Sequence, residues 1–110
     1  MTKRIKKNLN WLRALETCDK SEQRQLLAIA KPEKINALCD CIHNIINGAI
    51  SISSKDKNKI QNKKNFLRKV VDKKTRVPAR RKLLVQHGAG LFTALIAPTL
   101  LALGAKVLSR

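Results

Sequence analysis

An uncharged segment of 23 residues, from 83 to 105, is the feature that most limits how this chain can fold. Its length alone would allow a membrane-spanning helix. Gly88, Gly90, Pro98 and Gly104 interrupt it, and residues 91–105 form its most apolar part. Three interpretations therefore stay open: a membrane-active segment, a further helix of the core, or a segment for self-association. The residues that would carry membrane insertion or association are Leu91, Phe92, Leu95, Ile96, Leu100, Leu101 and Leu103.

A dense block of basic residues precedes this segment. Residues 55–82 hold thirteen Lys or Arg against two acidic residues, and the whole chain carries a formal charge of +17. Such a block repels itself unless a polyanion neutralises it. Aromatic residues make up only 3% of the chain, too few for stacking on bases, so the block would contact phosphates without sequence preference. The predicted nucleic-acid-binding residues are Lys55, Lys57, Lys59, Lys63, Lys64, Arg68, Lys69, Lys73, Lys74, Arg76, Arg80, Arg81 and Lys82.

Apolar residues recur at helical spacing in the first half of the chain, which predicts an all-α fold. A first helix ends near Cys18. Asp19, with Glu22 three residues later, has the spacing of a capping box and predicts the start of a second helix. Pro32 suits the first turn of a third helix, because the N–H that proline lacks would have no intrahelical partner there.

The third helix carries the broadest apolar stripe and is the predicted core helix. Cys39 and Ile42 fall within the stripe, whereas Cys41 is expected to point well away from it. Ser53 or Ser54 can cap a fourth helix that reaches about residue 72. We thus predict a small basic bundle of about four helices plus an apolar C-terminal helical segment. Residues 1–79 would form the basic helical domain, and residues 80–110 a basic hinge and the apolar segment.

Two patterns could indicate chemistry. Cys39, Cys41 and His43 are potential zinc ligands, but their spacing on a helix separates the two thiols, and the best available fourth ligand is the distant Cys18. We therefore predict no metal and no cofactor. His87 lies beside Gly88 and Gly90 without the preceding strand or third glycine of a dinucleotide site. We therefore expect a protein that is not an enzyme.

The junction between the two halves resembles the end of the adenoviral mu-protein precursor. Arg80-Arg81-Lys82, the glycine pair in Gly88-Ala89-Gly90 and the apolar tail with its internal Pro98 follow the order of that family. The arrangement is also similar to small basic late proteins of adintoviruses and other Polinton-like elements. The resemblance covers about 30 residues and is one of pattern more than of identity.

This resemblance implies a virion core protein that condenses packaged double-stranded DNA, in the virion and the host nucleus. It also implies processing by a viral cysteine protease at Gly88, Ala89 and Gly90, although Gln86 stands where that protease prefers an apolar residue. Besides DNA, the expected partners are an anionic membrane, the capsid shell, the protease or a second copy of the chain. The alternative function is a small membrane-active protein whose basic part attracts anionic lipid.

Overall fold

The computed structural model describes residues 2–88 and 90–108, with side chains for residues 3–88 and 90–103. The fold is all-α: most of the described residues are helical, and no strand occurs among them. These ranges contain eight helices: α1 Thr2–Lys7, α2 Leu9–Thr17, α3 Lys20–Ile29, α4 Pro32–Ile46, α5 Ser54–Asn62, α6 Lys64–Val71, α7 Val77–His87 and α8 Phe92–Leu108. The all-α prediction is confirmed, whereas the count of about four helices is wrong.

Two of the predicted helices are each divided in two by a single residue. At Asn8, between α1 and α2, the backbone N–H donates to the Ile5 carbonyl at 3.1 Å, and Nδ2 donates to the Arg4 carbonyl at 2.8 Å. Lys63 has the same role between α5 and α6, where its N–H donates to the Ile60 carbonyl at 3.1 Å. Bonds to the third preceding residue tighten a turn and redirect the next helix. Apolar periodicity alone does not reveal such breaks.

The predicted helix starts are confirmed. The Asp19 carboxylate accepts a hydrogen bond from the Glu22 N–H at 2.8 Å and caps α3. The Ser53 hydroxyl accepts one from the Asp56 N–H at 3.2 Å and caps α5. Pro32 occupies the first turn of α4, as its missing donor allows. Local sequence was therefore sufficient to locate these three boundaries.

Helix α4 lies at the centre of the molecule, in contact with α1, α6, α7 and α8. Ile35, Leu38 and Ile42 are fully buried, as the apolar stripe predicts. The prediction that Cys41 points away from the core is wrong, because α8 covers that side of α4 and the Cys41 thiol meets the Thr99 side chain. Residues on nearly all sides of α4 thus belong to one hydrophobic core.

Helices α7 and α8 belong to the same core as the preceding helices. Helix α7 packs against α3 and α6, whereas α8 packs against α2 and α4. The expected domain boundary between residues 79 and 80 falls inside α7, and buried residues from both sides share one cluster. The radius of gyration, 12.9 Å, is that of a single compact unit of this length.

Gly88 and Gly90 lie between α7 and α8, where the direction of the chain changes by 113°. A Cβ at Gly88 would lie 2.6 Å from the Phe92 ring, and Gly90 has φ +90°, which side-chain-bearing residues rarely adopt. Beyond this change of direction α8 packs against α2 and α4, and Phe92 and Leu95 are fully buried. The region expected to be a hinge is therefore part of the packed structure.

Ile42→Ala is expected to lower the free energy of unfolding by about 2–5 kcal/mol, because it leaves a cavity in the centre of the core. Ile29→Ala makes the same chemical change at a side chain that is 82% exposed, and we expect an effect within about 0.5 kcal/mol. Thermal melts followed by circular dichroism compare the two variants. Equal effects would contradict the packing of α4.

Candidate nucleic-acid interface

The predicted DNA-binding residues lie on α5, α6 and α7, at Lys63 between α5 and α6, and on the segment between α6 and α7. Three of them, Lys64, Arg80 and Arg81, are half-buried. The other ten are exposed: Lys55, Lys57, Lys59, Lys63, Arg68, Lys69, Lys73, Lys74, Arg76 and Lys82. We call these ten residues the exposed basic set.

Helix α6 holds part of the exposed basic set in a defined orientation. Leu67 and Val70 are fully buried and fix the helix against α4 and α7. Arg68 and Lys69, the two residues between them, are consequently turned towards solvent. The fold thus presents these two cations outward from a packed helix.

The segment after α6 is also held in place. Asp72 accepts a hydrogen bond from the Lys74 N–H at 2.8 Å, and the Thr75 hydroxyl donates to the Lys69 carbonyl at 2.7 Å. These bonds form a compact connection on which Lys73 and Lys74 are both exposed. The two cations are therefore presented by an ordered turn.

Acidic side chains do not neutralise the exposed basic set. Of the two acidic residues in the block, Asp72 bonds a backbone N–H and Asp56 lies in the first turn of α5. Across the side chains of residues 3–88 and 90–103, the one ion pair joins Arg4 to Asp40 at 3.1 Å, outside the block. The positive charge of the block is thus available to an external anion.

Arg80 and Arg81 are engaged in the fold. The Arg80 guanidinium donates to Asn36 Oδ1 and to the Asp72 carbonyl, both at 3.1 Å. Arg81 Nη1 donates to the Leu27 carbonyl at 2.7 Å and to the Ala28 carbonyl at 3.3 Å. These carbonyls lie in the last turn of α3, where the negative end of the helix dipole favours a cation, and the Leu27 carbonyl also accepts the Ala30 N–H at 3.3 Å. Both arginines therefore join distant helices, in addition to any contact with DNA.

Arg81→Gln is expected to reduce stability by about 1.5–3 kcal/mol, because it removes a charge-assisted bond to the end of α3. Lys82→Gln removes the same charge from an exposed neighbour and should change stability by less than about 0.5 kcal/mol. Chemical denaturation of the two variants measures the difference. An Arg81→Gln protein as stable as Lys82→Gln would show that the contact with α3 contributes nothing.

A groove between α4 and α6 adds two residues that sequence reasoning missed. His43 and Asn47, whose Nε2 and Nδ2 atoms lie 2.8 Å apart, line it together with Arg68, Lys73 and Lys74. Its volume is about 620 Å³. No local signal links His43 to Lys73, which are brought together only by the packing of α6 on α4. The groove is concave and presents three cationic side chains together with one carboxylate, that of Asp72.

Most of the predicted membrane or association residues lie inside the protein. Leu91, Phe92, Leu95, Ile96 and Leu103 are buried and Leu100 is half-buried, whereas Leu101 is 73% exposed. No single helix in residues 2–88 and 90–108 is long and apolar enough to cross a membrane. Val77–His87 and Phe92–Leu103 meet that criterion only as a pair bent by 113°. The structure thus gives the apolar segment a role in the core.

The predicted cleavage site lies at the turn between α7 and α8. Gly88 is buried and Gly90 is exposed, while Ala89 lies outside the described residues. His87, next to the turn, is exposed and meets the Phe66 ring edge-on at 5.7 Å between centroids. This contact links the end of α7 to α6.

The cysteines of α4 are buried thiols. Burial raises the pKa of Cys39 to about 11 and that of Cys41 to about 12, so both remain protonated at neutral pH. Zinc binds the thiolate form. Within the described part of the chain, no group of three His, Cys, Asp or Glu residues is placed to hold a metal ion. The two thiols contribute to the packing of α4 as small apolar groups.

Comparison with known proteins found no match to this chain among protein-family models, curated proteins or solved structures.

Proposed function

We propose that this protein is a non-catalytic DNA-binding protein that contacts the phosphates of double-stranded DNA and neutralises the duplex so that it can be condensed. The observation that carries the proposal is the exposed basic set, ten Lys and Arg side chains on packed helices and an ordered turn, without acidic side chains to neutralise them. Duplex DNA presents one negative charge per about 1.7 Å of its axis, which matches a dense block of cations.

The interface favours phosphates over bases. The exposed basic set is mostly lysine, which acts as a point charge, whereas specific base contacts are typically bidentate. Phe66 is half-buried against His87, and the block contains no other aromatic side chain for stacking. Binding without sequence preference follows from this composition.

A role as a virion core protein is the biological setting that we propose for this activity. It is supported by the resemblance of residues 80–105 to the mu-protein precursor, with its basic block, glycine pair and apolar tail. Packaging requires a protein that neutralises any DNA sequence, as the exposed basic set is suited to do. The virion and the host nucleus would be its locations.

A membrane-active protein is the second candidate, favoured by the exposure of Leu101 on an otherwise apolar helix. Insertion of α8 would require Phe92 and Leu95 to leave the core, which makes this function more costly than DNA binding. Flotation of the intact chain with anionic liposomes tests it. Flotation without measurable affinity for DNA would favour the membrane function over the one proposed.

Two matched triple variants test the DNA-binding proposal. Replacing Lys63, Lys73 and Lys74 by Gln removes three charges from the exposed basic set, whereas replacing Lys3, Lys6 and Lys7 by Gln removes three exposed charges from α1. If the proposal is correct, the first variant loses more affinity for duplex DNA, and its salt dependence becomes shallower by about 0.9 per lost contact. If fluorescence anisotropy titrations showed equal losses of DNA affinity in the two variants, net charge alone would account for binding and the exposed basic set would not be the interface.

A further inference from the structure

A separate cavity of about 380 Å³ lies between the end of α4, the loop of residues 47–53, α5 and the first residue of α6. Small-molecule sites in proteins begin at about 300 Å³. Gly48, in the loop, has φ +74° and turns the chain back after α4. The loop thereby forms one wall of the cavity.

Five isoleucines supply the apolar lining of the cavity. Ile45 and Ile60 are buried, whereas the other three are only half-buried, so apolar surface remains in contact with water. An alkyl chain in the cavity would remove that apolar surface from water, which favours binding. The five residues are Ile45, Ile46, Ile50, Ile52 and Ile60.

The charged side chains at the cavity are both cations. Lys57 and Lys64 line it, and neither Asp nor Glu does so among the described residues. The neighbouring groove at the same loop, which includes Ile50, Pro98 and Leu101, instead carries Asp56 and no Lys or Arg. An anionic group attached to an alkyl chain therefore finds complementary charge in the first cavity and repulsion in the second.

From this combination we infer a binding site for an amphipathic anion, with the alkyl chain among the isoleucines and the anionic group at Lys57 and Lys64. The inference goes beyond the proposed DNA-binding function and does not depend on it. The ligand chemistry could come from a free alkyl carboxylate or from an anionic lipid in a bilayer. We commit to the free molecule, because the cavity is set between helices and its lining is only partly exposed.

An NMR titration of the full chain with decanoate, below its micelle concentration, tests the site. We expect saturable shifts confined to amides near the cavity, in residues 45–64. Butanoate has the same charge on a much shorter alkyl chain, and decyltrimethylammonium has a ten-carbon chain with the opposite charge. Each should bind at least about tenfold more weakly than decanoate. The absence of saturable shifts at these amides would overturn the inference.

Three variants and their controls identify the contacts. Ile52→Trp should fill the cavity and abolish binding, whereas Ile29→Trp, at an exposed position on α3, should not. The double substitution Lys57→Gln and Lys64→Gln should weaken the binding of decanoate about fivefold or more. The control pair, Lys55→Gln and Lys59→Gln, removes equal charge from exposed positions on α5 outside the cavity lining and should have little effect. Circular dichroism verifies that each variant is folded.

The remaining outcomes overturn the inference. Equal weakening by the two lysine pairs would mean attraction by net charge alone. If a folded Ile52→Trp protein kept its affinity for decanoate, the alkyl chain would have to bind outside this cavity. Shifts caused by anionic vesicles but not by decanoate would indicate a bilayer surface as the partner. None of these results depends on affinity for DNA, so the DNA-binding function stands or falls separately.

Discussion

A chain that ends at residue 89 should lose cooperative unfolding and aggregate. The truncation removes buried Leu91 and the whole of α8, which contributes Phe92, Leu95, Ile96 and Leu103 to the core. Burial of each such side chain stabilises a protein by about 1.5–3 kcal/mol. Their combined loss is comparable to the entire stability of a small domain, about 5–15 kcal/mol. The apolar faces of α2 and α4 would also be exposed, which favours association.

Circular dichroism melts and size-exclusion chromatography of the truncated protein measure this effect. In the full chain, Leu95→Ala should cost about 2–5 kcal/mol, whereas the same change at Leu101, which is 73% exposed, should cost less than about 0.5 kcal/mol. A monomeric truncated protein with a cooperative melt would contradict the single shared core. It would instead support a separable C-terminal segment.

The parts of the fold that depend on neighbouring residues were predictable from the sequence. Asp19 and Ser53 cap helices because their side chains accept a hydrogen bond from an N–H three residues ahead. Pro32 suits the first turn of α4 because proline lacks the N–H that would have no intrahelical partner there. The run of basic residues from 55 to 82, from which the exposed basic set comes, is likewise evident in the sequence. Such features require no knowledge of how distant segments pack.

Contacts between distant segments account for what the sequence did not reveal. Cys41 is buried because α8, more than fifty residues later, covers that side of α4. The Arg81 guanidinium bonds carbonyls at the end of α3, more than fifty residues earlier in the chain, a contact that no local pattern indicates. The uncharged composition of residues 83–105 fitted a core helix as well as a membrane-active segment. Only the tertiary packing shows that most of its apolar side chains are buried in the core.

Affinity for duplex DNA should fall by about a thousandfold between 50 and 200 mM monovalent salt. This expectation assumes about six phosphate contacts, fewer than the members of the exposed basic set, each adding about 0.9 to the slope of log affinity against log salt. The effect comes from counterions that the DNA releases when lysines and arginines neutralise its phosphates. Because phosphates are common to every sequence, two unrelated duplexes of equal length should respond alike.

The most direct test of the DNA-binding account is a salt series of fluorescence anisotropy titrations on two such duplexes. We expect a slope of log association constant against log salt near −5 for both, with affinities that agree within about threefold at each salt concentration. A slope shallower than about −2, or a preference of more than about a hundredfold for one short site, would contradict phosphate neutralisation by the exposed basic set.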